Sequence, residues 1–158
     1  MIDVKDISKS FGNIDVLNKV SINLQEGKIN MIIGKSGAGK SVLLKCLVGL
    51  LDVDMGVIDY DGRNFSAMNY KQKKGIRKEI GMLFQGSALY DSMSVLDNVM
   101  FPLEMFTEMT PEERKERAIF CLRRVKIIES ADGLFPAEIS GGMQKRVAIA
   151  RAIALKPK

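Results

Sequence analysis

The chain has 158 residues, of which 46% are hydrophobic, 27% charged and 6% aromatic, and 24 Lys+Arg against 19 Asp+Glu leave a formal charge of +5. This mix is that of a globular protein and excludes collagen-like, low-complexity and wholly disordered chains; the length suffices for one substantial core. No run reaches the roughly 18 apolar residues of a membrane helix, and the lack of any histidine excludes His-dependent triads, His metal sites and His proton shuttles.

Met1-Ile2-Asp3-Val4-Lys5 does not begin like a secretory signal, because no basic patch precedes an apolar segment. Ile2, Val4 and Ile7 alternate as a strand does, up to a turn at Ser10-Phe11-Gly12-Asn13. Val16 to Leu24 reads as a second strand, and Glu26-Gly27 turns the chain. Ile29 to Ile33 is a short apolar run, as expected of a strand buried on both faces. A buried helix is expected from Gly39 to about Leu50, then a strand at Val57–Tyr60 closed by Asp61-Gly62. Lys71, Lys73, Lys74, Arg77 and Lys78 form a basic run that reads as a solvated helix face; the aromatic interleaving of a nucleic-acid surface is missing.

Ile80 to Phe84 reads as another apolar strand, and Ser94 to Phe106 as a helix. Thr110-Pro111-Glu112-Glu113 carries a capping Thr, Pro at the first helical position and Glu three residues after the cap, so a helix is expected to about Val125. Ser140-Gly141-Gly142 opens a last helix before Pro157. Cys46 and Cys121 lie inside predicted helices without metal-ligand spacing and read as buried thiols in a reducing compartment. Strands followed by helices in this order indicate an α/β protein with inserted helices.

Gly34-Lys35-Ser36-Gly37-Ala38-Gly39-Lys40-Ser41 satisfies the phosphate-loop pattern, with an apolar run before it and a helix after it. Glycines let successive N–H groups turn inward on a polyanion, and the new helix adds its positive end. Lys40 is placed to reach the terminal phosphates, and the Ser41 hydroxyl to ligate Mg²⁺. Binding of a nucleoside triphosphate follows.

Ile139-Ser140-Gly141-Gly142-Met143-Gln144 stands 100 residues past Lys40 and runs into Arg146-Val147-Ala148-Ile149-Ala150-Arg151-Ala152. Together with the phosphate loop, this resembles the signature of ATP-binding-cassette (ABC) ATPases. Leu83-Phe84-Gln85 looks like that family's Q-loop, whose glutamine contacts Mg²⁺ and the attacking water. Phe11 matches the aromatic that stacks on adenine, or is an ordinary strand-end aromatic; Val16 lies on the strand flanking the base. The resemblance implies a P-loop NTPase of ABC-ATPase type: a RecA-like core with an N-terminal antiparallel β subdomain and an inserted α-helical subdomain. It divides the chain into residues 1–85 (β subdomain and phosphate-loop core), 86–139 (helical subdomain) and 140–158 (signature helix). It also implies ATP and Mg²⁺ as ligands and a head-to-tail pair of ATPase subunits, with Ser140, Gly141, Gly142 and Met143 facing the partner's ATP. A transmembrane permease is implied as second partner, with a peripheral place on the cytoplasmic face of the inner membrane and no nucleic acid.

Residues 81–99 and 135–146 resemble the ATPase subunits of Mla/Mce-type phospholipid transporters, which implies lipid as cargo. Ile139 and Met143 depart from the usual Leu and Gln of the signature, and Met143 cannot serve any role borrowed from that Gln. Met93, Met100, Met105, Met109, Phe101 and Phe106 lie in a cation-free segment, and a mixture of core and partner-facing side chains is expected there. Within these 158 residues no apolar strand ends in Asp-Glu, so the family's Walker B Asp, catalytic Glu and switch His have no counterpart. The chain is therefore expected to be a fragment truncated before the Walker B strand, hydrolysis-incompetent alone, with an edge open to a neighbouring copy. The alternatives are a DNA-associated ABC ATPase, disfavoured because only 55 residues without heptads separate Gln85 from Ser140, a translational relative, and a small-molecule kinase, which would need neither Gln85 nor the signature.

Overall fold

The computed structural model describes residues 1–158, the side chain of Glu129 excepted. Two compact units, Met1–Gly75 and Ile76–Lys158, divide the chain.

In the first unit, β1 (Ile2–Phe11) pairs antiparallel with β2 (Ile14–Leu24) across a two-residue turn at Gly12-Asn13. The helix α1 (Lys40–Leu47) follows the phosphate loop. β3 (Met55–Tyr60) pairs with the other side of β1, and β4 (Arg63–Asn64) with β3, so the sheet order is β2-β1-β3-β4. Val4, Ile7, Leu17, Ile58, Tyr60 and Phe65 are buried, as are Leu43, Cys46 and Leu47 of α1. α1 ends earlier than the apolar pattern suggests. Leu50 N–H donates to the Lys45 carbonyl at 2.8 Å and Gly49 N–H to Cys46 at 3.0 Å, the paired bonds of a Schellman stop.

Tyr60 Oη donates to the Leu47 carbonyl at 2.7 Å and ties the sheet to α1. Burial pushes this phenol up to about 12 from an ordinary 10.0. A raised folded pKa favours the neutral form, so its contribution is complete below pH 10 and lost as pH rises from 10 to 12. At about 1.4 kcal/mol per unit, a loss of about 2–3 kcal/mol is expected across that window, and none from this source in Tyr60→Phe. Urea denaturation at a series of alkaline pH values, with phenolate absorbance, measures both.

The helix α2 (Tyr70–Lys78) carries the basic run. In the second unit, α3 (Val95–Phe106), α4 (Pro111–Arg124) and α5 (Gly141–Ile153) pack around Val95, Val99, Leu103, Cys121, Leu122 and Val147. The local start signals operate as written in the residues. Thr110 Oγ1 accepts from Glu113 N–H at 3.2 Å, and Glu113 Oε2 accepts from Thr110 N–H at 2.7 Å. Thr110→Ala is expected to lower stability by about 1 kcal/mol in urea or thermal denaturation. Arg117 closes the far end of α5, donating to the Ile153 and Ala154 carbonyls at 2.9 and 3.0 Å.

Two expectations fail. Ile29–Ile33 and Ile80–Phe84 form no strand. Ile29, Met31 and Ile33 are 97%, 79% and 81% exposed. An extended apolar run becomes a strand only when a neighbour supplies ladder bonds, and among the described residues none pairs with either run. Instead Asn30 braces the first one, its side-chain amide donating to the Gln25 carbonyl at 3.0 Å. The methionine-rich segment divides: Met100 and Met109 pack on the helical core, whereas Met105 stays exposed. Both cysteines are buried and free, and burial raises their thiol pKa, so they remain protonated at neutral pH.

Candidate nucleotide site

The loop at 34–41 is built by its own backbone. Ala38 N–H donates to the Lys35 carbonyl at 3.3 Å, and Leu43 N–H to Gly39 at 2.8 Å as α1 begins. Gly39 caps α1 at φ 83°, ψ 4°, and a Cβ there would lie 2.9 Å from the Val16 carbonyl oxygen and 3.1 Å from Leu17 Cδ2. Only glycine fits both the dihedral and the space. The close approach also sets Val16, on β2, against the loop. Gly39 offers no side-chain cap, and the first turn of α1 has no acidic residue, so its positive end is open to an external acceptor.

Lys40 Nζ donates to the Gly34 and Lys35 carbonyls, both at 2.7 Å, which holds the ammonium across the loop. Lys35, Ser36, Gly37, Ala38 and Ser41 are exposed around it. A bent backbone with open amides, one fixed cation and a helix N-terminus suits a polyphosphate; the Ser41 hydroxyl suits Mg²⁺ that is held mainly by phosphates and water. Phe11 ends β1 with its ring about half exposed, Lys9 Nζ lying 5.7 Å from the ring centroid. Lys9 also pairs with Asp54 at 2.6 Å, and that bond, with a second from Ser10 N–H, holds the Asp54 carboxyl below its usual range.

In the second unit, Ser140 caps α5: its Oγ accepts from Met143 N–H at 3.3 Å. Ser140, Gly141 and Gly142 are exposed, Ile139 is buried, and Met143 packs on the helical core. Gln144 Nε2 donates to the Pro136 carbonyl at 2.8 Å and fixes the approach to the helix. Gln85 is exposed in a tight bend, in which Ser87 N–H donates to Phe84 and Ala88 N–H to Gly86. Reading the sequence did not single out Arg151, whose guanidinium reaches that bend. The signal was there: Arg151 falls one helical turn after Val147, on the buried stripe with Ala150 and Ala154, where a cation needs partners.

Among the described residues, no helix is long and apolar enough to cross a membrane. The ABC transporter family profile matches residues 17–158. The chain is 43% identical over 158 residues to the methionine import ATP-binding protein MetN of Clostridioides difficile (strain 630), covering all of this chain and 49% of that protein. It is 39% identical over 157 residues to the intermembrane phospholipid transport system ATP-binding protein MlaF of Escherichia coli (strain K12), covering 99% and 58%. It is 40% identical over 158 residues to the glutamine transport ATP-binding protein GlnQ of the same strain, covering 65% of it. Among solved structures, it superposes on the dimeric cassette MJ0796 bound to ADP and Pi with a TM-score of 0.89 at 34% identity, over 99% of this chain and 71% of that one. The chain thus spans from about half to two thirds of the length of these curated relatives. Relatives that carry methionine, phospholipid and glutamine lie at similar identity, so the likeness extends to the ABC ATPase cassette and not to one cargo. The chain belongs to the ABC transporter family and has the fold of its ATPase cassettes.

Proposed function

We propose that residues 34–41 bind the phosphates of ATP and that, in the complete protein, hydrolysis of that ATP drives a membrane permease. The observation that carries this reading is the Lys40 ammonium, held 2.7 Å from two loop carbonyls at the open mouth of α1. Lys40 contributes charge against the terminal phosphates, and the loop amides orient them. Ser41 would hold Mg²⁺, which supplies charge neutralisation at the phosphates when bound, and Gln85 would take the Q-loop role that the family resemblance implies. Phe11 and Val16 would flank the base. Ser140, Gly141 and Gly142, exposed at the start of a 13-residue helix, suit a second anion-binding surface. Facing the ATP of a second subunit, they would make the nucleotide part of a head-to-tail interface, in keeping with the dimeric state of MJ0796. Association with a permease would place the protein at the cytoplasmic face of a membrane.

For the cargo we favour phospholipid, on the likeness of residues 81–99 and 135–146 to Mla/Mce-type subunits. The identity to MetN supports methionine import as the second reading. Co-purification of the complete protein with its permease into lipid nanodiscs, followed by ATPase assays, tests both. Turnover stimulated by phospholipid is expected. Stimulation by methionine with its binding protein would move the cargo to the second reading, and failure to bind millimolar ATP would overturn the nucleotide site itself.

A further inference from the structure

The segment from Glu79 to Ala88 is tied to α5 and its tail at both ends. At its start, a Cβ on Gly81 would come within 2.6 Å of the Ala152 carbonyl oxygen and 2.9 Å of Pro157 Cγ, so the backbone lies directly on the end of α5. Lys158 N–H donates to the Glu79 carbonyl at 3.0 Å, and Lys158 Nζ pairs with the Glu79 carboxylate at 2.8 Å. At its end, Arg151 Nη1 donates to the Ala88 carbonyl at 2.7 Å and Nη2 to the Ser87 carbonyl at 2.9 Å. Five residues, 82–86, span the two anchors, and Gln85 is one of them.

We infer that Arg151 is a positioning residue: its guanidinium clamps the bend after Gln85 onto the helix that begins at Ser140, so that bend and signature helix act as one piece. Two features argue for a clamp. Ser87 and Ala88 are both non-glycine residues at positive φ, 63° and 49°, a conformation that persists only where the surroundings impose it. The planar guanidinium presents two N–H groups in a fixed geometry, one to each of two successive carbonyls. Beyond the bend, the Arg151 guanidinium lies 5.8 Å from the Tyr90 ring centroid, and the buried Asn98 side chain bonds both Tyr90 backbone groups, so the chain stays fixed as it enters α3. A rotation of α5 is therefore transmitted to Gln85 without slack. This inference rests on the proposed role of Gln85 at the nucleotide.

Arg151→Met and Arg151→Lys in the complete protein test it. In Arg151→Met, amide hydrogen exchange at residues 86–90 is expected to rise at least about tenfold, with α3 and α4 unchanged. ATPase kcat is expected to fall about tenfold while KM for ATP stays within about twofold, and Arg151→Lys should recover part of both. Unchanged exchange overturns the clamp, and so does faster exchange with unchanged kcat. Should Arg151→Met not fold, the wild-type protein decides by NMR. Protected Arg151 Nη protons, coupled through hydrogen bonds to the Ser87 and Ala88 carbonyl carbons, support the clamp, and rapidly exchanging ones overturn it. Failure of the wild type to bind ATP would overturn the nucleotide reading alone, since the exchange and NMR results judge the clamp independently.

Discussion

Replacing Lys40 by Ala is expected to weaken ATP binding by about a hundredfold while leaving the fold intact. The ammonium bonds only two loop carbonyls on an open surface, so its loss leaves no buried group unsatisfied. Toward a triphosphate it is the one cation that the loop holds in place. A charge-assisted hydrogen bond to an anion is worth about 1.5–3 kcal/mol, which at about 1.4 kcal/mol per decade is one to two decades of affinity. Calorimetric titration with ATP, beside a urea denaturation curve, separates the two effects. An affinity within about twofold of wild type would remove Lys40 from the site. Lys40→Arg should recover only part of the binding, because the planar guanidinium is larger than the compact ammonium that the loop holds.

Gly39→Val should do more damage, and to both quantities. A β-branched residue at φ 83° carries strain of about 1–3 kcal/mol, and its Cβ would lie 2.9 Å from the Val16 carbonyl oxygen, so β2 or α1 must move. We expect a loss of about 3–4 kcal/mol in denaturation midpoint measurements and no detectable ATP binding, because the loop amides would no longer converge. Gly37→Ala is the informative control. Gly37 has nearly the same φ, 80°, but nothing within 4 Å of its Cβ position. Strain alone then remains, about 1 kcal/mol, with weakened binding that is still measurable. Equal effects at the two glycines would show that the close approach to β2 is irrelevant.

How much of this was legible in the residues depends on how far each feature's causes lie along the chain. The starts of α3, α4 and α5 were readable because Ser94, Thr110 and Ser140 each bond a backbone group three residues on. The phosphate loop was readable for the same reason, since its bonds run from 34 to 43. The buried state of Cys46 and Cys121 was readable from their places inside predicted helices without metal-ligand spacing.

What failed was non-local. Ile29–Ile33 and Ile80–Phe84 have the composition of central strands, yet a ladder is a property of two segments, and only the folded chain shows whether the second one is at hand. Arg151 stood in the run after the signature with no partner assigned to it; only the tertiary structure brings it, 63 residues away in sequence, to the Ala88 carbonyl. The sequence by itself therefore determined the short-range chemistry: the caps, the turns and the anion-binding loop, whose hydrogen bonds close within a few residues. The tertiary structure alone decided which apolar runs pair, which face Val16 offers to Gly39, and which helix holds the bend beside Gln85, because those depend on groups that approach only through folding.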